Sequence, residues 1–250
     1  MRVGLDAATL AEKLRPPRAL TVVEGALLAE PAAGSTTAWL AWWSGAPASL
    51  AAVIARARAA GASRLTFGGP PGNYVESGVN ADDTERVAAL ITAGFTPGEA
   101  HLDLRVSTRV ASVGTSGVIV RRCGEDLSDA VDAAFGAGWA WEVARARAHG
   151  GVYVARENDG KLLGFAAHSG NLAHRGTFGP VGVLPGARGR GVGAALSRAV
   201  FVDLRTRGFD EALVPWVATG TVGFYESLVT ILGRTRRLAL TLNLTGRGSP

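Results

Sequence analysis

The chain has 250 residues, 47% hydrophobic and 19% charged, a globular balance that excludes wholesale disorder and fits one large or two small domains. No apolar run approaches the roughly 18 residues of a membrane span, and Met1 to Arg18 scatters Asp6, Glu12, Lys13 and Arg15 through its apolar residues, unlike a signal peptide. Cys123 is the lone cysteine and the net charge of +5 is arginine-borne and dispersed, so we expect a cytoplasmic protein with no membrane, nucleic-acid or disulfide chemistry.

The first half predicts a helix over Pro47 to Ala60, broken at Gly61, then a strand at Arg64 to Gly68. A helix over Asp82 to Ala93, stopped by Gly94, and a strand at Glu99 to Val106 follow. Ala111 to Gly117 is Ser/Gly-rich and reads as a seam. Gly117 to Arg122 predicts a strand, Asp126 to Phe135 a helix capped by Asp126 or Ser128, and Trp139 to His149 a helix stopped at Gly150. Val152 to Arg156 and Lys161 to His168 flank Glu157-Asn158-Asp159-Gly160, a hairpin signal because Asn, Asp and Gly tolerate positive φ. Arg175 to Leu184 is a strand ending at Pro185, and Gly191 to Thr206 a long helix closed by Gly208. Glu211 to Val217 reads as a buried strand, Thr219 to Leu228 as a short helix and Arg236 to Leu244 as an alternating final strand.

The second half thus runs β, α, α, β, β, β, loop, α, β, α, β, a mixed α/β pattern for one central sheet. Helix–Gly–strand–helix–strand also closes the first half, where Leu65-Thr66-Phe67 answers Leu213-Val214-Pro215. The echo predicts a duplication, with domains at 1–112 and 117–250.

The chemistry concentrates in Val181 to Ala194, VGVLPGARGRGVGA, which runs from a strand through glycines into a helix. Glycines let backbone N–H groups converge, the helix start adds partial positive charge, and Arg188 and Arg190 add full charges, so a pyrophosphate suits the segment. A P-loop would need Gly-Lys-Ser/Thr where Gly191-Val192-Gly193 stands. A dinucleotide fold would need G-x-G-x-x-G and an acid at the end of the next strand, whereas Asp210 and Glu211 precede that strand.

Arg188-Gly189-Arg190-Gly191-Val192-Gly193 resembles the R/Q-x-x-G-x-G/A signature of the GCN5-related N-acetyltransferases (GNAT). The element order from Gly117 to Leu244 and Phe224-Tyr225-Glu226 on the following helix resemble that family too. The resemblance implies an acyl-CoA N-acyltransferase fold, with two such domains in tandem and catalysis in the C-terminal one, and with acetyl-CoA and an amine acceptor as partners. It implies that Val181, Gly182 and Val183 line the pantetheine arm, that Arg188, Gly189, Arg190, Gly191, Val192, Gly193 and Ala194 hold the pyrophosphate, and that Tyr225 protonates the leaving thiolate. A phenol with a pKa near 10 is a suitable acid for a thiolate near 8.5.

The chain departs from the family in having Ala218, Thr219 and Thr221 where an Asn is usual, and Ser227 to Gly233 in place of a Leu-Gly-Phe close, which predicts a helix one turn longer. Glu142, His168, His174 and Glu226 are candidates for the general base. No metal site is expected, since His101, His149, His168, His174 and Cys123 lack ligand spacing. The corresponding first-half segment, Ser44 to Ser49, has no Arg and one Gly, so that copy is expected to be degenerate; Tyr74 and Glu76 lie in a loop there, as turn residues or acceptor contacts. The expectation is an acetyl-CoA-dependent N-acetyltransferase, the alternative a non-catalytic CoA-binding or regulatory module.

Overall fold

The computed structural model describes residues 5–15, 20–70, 72–110 and 118–245, so the predicted seam at Ala111 to Gly117 lies outside the described residues. The chain forms two compact units. One takes the described residues up to Leu102 together with those from Thr235 onward, and the other is Asp103–Arg234. These units cut across the expected boundaries of 1–112 and 117–250, because the final strand leaves the second half to complete the first unit's sheet.

In the first unit, α1 (Ala7–Lys13) is capped by Asp6, whose carboxylate accepts the Thr9 N–H at 2.6 Å. β1 (Thr21–Val23) and β2 (Ala26–Ala29) form a hairpin turned by Glu24 and Gly25, both at positive φ. β3 (Thr37–Trp43) pairs antiparallel with β2; α2 (Pro47–Ala59) then crosses to β4 (Arg64–Phe67), which pairs parallel with β3. β5 (Val79–Asn80) and α3 (Thr84–Thr92) lead into β6 (Thr96–Ser107). The last strand, β12 (Ile231–Asn243), pairs antiparallel with β4 from Leu240–Phe67 to Asn243–Arg64, and the order in this unit is β1-β2-β3-β4-β12-β6. Leu40, Trp43, Val53, Leu65, Phe67, Leu90 and Leu240 are buried together as its core.

The second unit begins with the end of β6. It continues through β7 (Ile119–Arg122), α4 (Ser128–Phe135), α5 (Ala137–Ala148), β8 (Val152–Arg156), β9 (Leu162–His168) and β10 (Phe178–Val183). α6 (Val192–Thr206), β11 (Glu211–Val217) and α7 (Val222–Glu226) follow. β10-β9-β8-β7 is an antiparallel sheet, with Val131 of α4 and Val143 of α5 buried against Val152 and Phe165 of the sheet. On α6, Phe201 stacks on Phe178 at 4.7 Å between ring centres.

Three expectations need correction here. The single central sheet is interrupted, since β11 meets β10 at one isolated parallel bridge, Thr177–Leu213. The helix carrying Tyr225 is shorter than expected rather than a turn longer. A 3₁₀ turn occupies Thr219–Thr221, α7 ends at Glu226, and the Leu228 and Val229 N–H groups both close onto the Tyr225 carbonyl. In the β8–β9 hairpin only Gly160, φ +90°, uses the left-handed region.

Candidate functional site

β10 and β11 run parallel from their bridge and then separate, leaving the facing edge of β10 unpaired with β11 over Phe178–Val183. The polarity of that edge follows from register. Val181, Gly182 and Val183 lie opposite Ala166, Phe165 and Gly164 of β9, and the Leu184 N–H donates to the Leu163 carbonyl at 2.9 Å. Antiparallel ladders alternate, so Gly182 and Leu184 face β9 while Val181 and Val183 direct their peptide groups to the open side. Gly182 itself is fixed by crowding. A Cβ there would stand 2.7 Å from Phe165 and 2.8 Å from Phe135.

Beyond β10, a 3₁₀ turn at Pro185–Ala187 leads to Arg188, Gly189, Arg190 and Gly191. Gly189 and Gly191 both sit at φ +75°, with open space where a Cβ would stand, so backbone conformation rather than crowding selects glycine. Gly191 is the N-cap of α6, no side chain caps the helix, and its first turn carries no acid. The opening amides of Val192, Gly193 and Ala194 have no intrahelical acceptor, and their partial positive charge points out of the helix start. A Cβ on Gly193 would lie 3.4 Å from Val183 and 3.7 Å from Phe224, so α7 packs beside the loop.

The two arginines have partners in this structure. Arg188 Nε donates to the Val183 carbonyl at 3.3 Å, and Arg190 pairs with Glu157 of the β8–β9 turn at 2.9 Å. Both side chains are exposed and can swing to an anion.

Tyr225 is buried in α7, edge-on to Phe178 at 6.0 Å and to Phe224 at 5.1 Å. Burial pushes its phenol up to about 12, so it stays protonated through the neutral range.

The four candidate bases separate clearly. Glu142 is buried in α5 against Gly170, where a Cβ would meet its carbonyl at 2.4 Å. His174 is exposed and accepts from Arg175 at 3.2 Å, and Glu226 is half-exposed and paired with Arg234. His168 is fully buried, with Nδ1 2.9 Å from Ser169 Oγ and Nε2 2.8 Å from Asp203. Burial lowers its imidazole and outweighs the raising effect of Asp203. Burial alone would raise Asp203, but hydrogen bonds from His168 and Arg207 hold its carboxyl below the usual range. Arg122 and Arg207 join this cluster and also donate to the Gly150 carbonyl at the end of α5. The cluster ties α6 to the end of α5 and to β9.

In the first unit, Tyr74 and Glu76 are buried, and Glu76 holds Arg86 in a two-point ion pair at 2.7 and 3.2 Å. That pairing consumes the carboxylate, which excludes the loop's role as an acceptor contact through Glu76. Among the described residues no group of three or more His, Cys, Asp or Glu is placed to hold a metal, and no helix is long and apolar enough to cross a membrane.

Sequence reasoning passed over Trp216. It stands on β11 with φ +59°, and its backbone N–H donates to the buried Asp103 carboxylate at 3.3 Å. The available signal was Pro215, a residue that cannot donate to a sheet ladder, inside the strand run.

Comparison with known proteins bears on the second unit most directly. Residues 121–228, less than half of the chain, match the acetyltransferase (GNAT) family. No curated protein sequence matches the chain. Among solved structures, it is similar to a GCN5-related N-acetyltransferase from Sphaerobacter thermophilus, with 19% identity and TM-score 0.59, over 78% of this chain and 65% of that one. It is similar to one from Kribbella flavida, with 16% identity and TM-score 0.62, over 94% and 93% of the two chains. It also resembles a tandem GNAT protein from the clavulanic acid biosynthesis pathway, with 17% identity and TM-score 0.60, over 88% and 79%. The chain has the GNAT fold.

Proposed function

We propose that the second unit transfers an acetyl group from acetyl-CoA to a primary amine by direct attack, and that the first unit is a copy of the same fold without the cofactor loop. The observation that carries this reading is the parting of β10 from β11 immediately before a glycine-turned helix start. One edge of β10 offers unpaired peptide groups to an extended arm, and the helix start beyond it offers amides to a pyrophosphate. Both features fit acetyl-CoA in a single direction along the strand.

The residues divide the work. Val181 and Val183 would bind the pantetheine amides, and Val192, Gly193 and Ala194, with Gly189 and Gly191 setting the turn, would bind the pyrophosphate. Arg190 would leave Glu157 for a phosphate, as Arg188 would leave the Val183 carbonyl. A neutral amine attacks the thioester carbonyl, and a backbone N–H of the β10 edge faces the developing oxyanion. Carbon–nitrogen bond formation breaks the carbon–sulfur bond, and the thiolate departs beside Tyr225. With its phenol near 12, Tyr225 is a weaker acid than a thiol near 8.5. Full transfer to the thiolate is uphill, so the phenol acts by donating a hydrogen bond as charge develops, and the proton shed by the amine neutralises the thiolate afterwards.

Calorimetric titration of the full chain with acetyl-CoA, with NADH as control, tests the reading. One acetyl-CoA site per chain and no NADH binding is expected. Two sites would overturn the degenerate role of the first unit, and no binding to folded protein would overturn the transferase reading.

A further inference from the structure

The second unit has a cavity on the side of its sheet away from α6, and none of the residues assigned above to acetyl-CoA lines it. Its position follows from the alternation of side chains along a strand. On β7, Arg122 reaches Asp203 of α6, whereas Cys123, paired onward to the Val152 carbonyl, enters the core under α4 and α5. Ile119 and Arg121 therefore share the Cys123 face. Opposite them in the β7–β8 ladder stand Arg156 and Val154. These four side chains, the Gly124–Glu125 loop and the β8–β9 turn enclose about 370 Å³. That volume suits a small molecule.

The charges around the cavity pair off, with one left over. Arg156 spans the rim, donating to Glu125 at 2.7 Å and to the Gly160 carbonyl at 2.8 Å. Glu157 is held by Arg190, and Arg122 by Asp203. Both carboxylates at the cavity are thereby taken. Arg121 remains, an exposed guanidinium with no hydrogen bond or ion pair among the described residues. Beside it the wall is apolar, since Val154 is buried and Ile119 is 46% exposed. A guanidinium fork matches a planar carboxylate at two points. A phosphate dianion would need a second cation, and Arg156 could serve only by giving up Glu125 and Gly160. An apolar body attached to the carboxylate would take the exposed surface of Ile119 out of water.

We propose that this cavity is a second ligand site, which takes a monocarboxylate with a short apolar body, the carboxylate on Arg121 and the body against Ile119 and Val154. The site does not depend on the transferase reading. Calorimetric titration of the full chain with hexanoate tests it, with hexanol and inorganic phosphate as comparisons. One hexanoate site per chain is expected, with hexanol and phosphate each bound at least about tenfold more weakly. Arg121→Gln should weaken hexanoate about tenfold or more, the loss of a hydrogen-bonded charge, and Ile119→Ser roughly fivefold, the loss of apolar contact. Both residues are exposed, so an unchanged melting temperature in each variant separates lost binding from lost folding. Arg188→Gln, which leaves the cavity intact, should bind hexanoate as the wild type does. Four results would each overturn the proposal: no saturation by millimolar hexanoate, equal binding of hexanol, tighter binding of phosphate, or an affinity that follows Arg188 rather than Arg121. Acetyl-CoA binding, measured separately on the same protein, decides the transferase reading whatever hexanoate does.

Discussion

The starts of α2 and α6 occupy corresponding places in the two units, each following a strand and leading to a parallel neighbour, yet one is filled and the other open. In the first unit, β3 and β4 are joined by four successive parallel pairs, from Thr37–Arg64 to Leu40–Phe67, and the Gly68 N–H extends the seam to the Leu40 carbonyl at 3.1 Å. The Ala46 carbonyl before α2 accepts the Trp43 indole N–H at 3.0 Å and the Ser49 hydroxyl at 2.7 Å, and Pro47 removes one amide from the helix start. Arg86 lies over the Trp43 and Phe67 rings, 5.9 and 5.4 Å from their centres. In the second unit, one bridge joins the equivalent strands, and α6 begins at a glycine with no cap. The same strand–helix–strand order is a continuous parallel seam in the first unit and a seam parted after one bridge in the second.

The largest expected effect breaks the filled side alone. Glu76→Ala strips the carboxylate from Arg86 and Arg237, both buried, and should cost about 3–5 kcal/mol in denaturant unfolding. Acetyl-CoA affinity of the folded protein should be unchanged; a matching loss of affinity would show that the slot depends on the first unit's core.

Tyr225→Phe addresses the open side. It should lower kcat roughly 10²-fold, at the lower end for acid–base groups, while calorimetric acetyl-CoA affinity holds. An unchanged kcat would remove the phenol from the chemistry, and turnover absent in both forms despite binding would favour a CoA-binding module.

A smaller effect sets one loop glycine against its counterpart. Gly191→Ala forces a left-handed backbone onto a side chain at a cost of about 1–2 kcal/mol, which should weaken acetyl-CoA roughly tenfold. Gly45→Ala, at φ +99° before α2, should carry a similar cost in stability with no change in affinity. Equal effects on affinity would erase the distinction between the two helix starts.

The smallest effect concerns charge. Glu157→Gln frees Arg190 from an exposed ion pair worth about 0.2–1 kcal/mol and should tighten acetyl-CoA no more than about fivefold. Weaker binding in that variant would assign Glu157 to the ligand instead.

The second unit was largely legible in its sequence because its signals are local. Asp126 accepts from Ser128, Gly150 and Gly208 turn at positive φ, and β8 and β11 end where their residue types predict. The glycine loop was legible for the same reason. β2 and β3 went unread because their apolar runs, such as Ala38 to Trp43, show no alternation of residue type, and β1 because it is three residues long with Val22 exposed. The early start of β12 at Ile231 was hidden by Thr230 to Thr235, which carries neither period clearly. The left-handed backbone at Trp216 goes with a hydrogen bond from its N–H to the Asp103 carboxylate, 113 residues earlier, and no local window contains that partner.

That distance matters most for β12. Thr66 and Thr241 share a hydrogen bond at 3.2 Å across 175 residues, and the first unit's sheet needs Leu240 to Asn243 beside β4. During synthesis the residues up to Leu102 therefore leave the ribosome without their central strand, and must wait for the second unit to be made before they can close. The high sequence separation slows that closure, and the wait exposes the edge of β4 to other chains. A protein cut after Arg234 would lose the interior of its first unit rather than its tail.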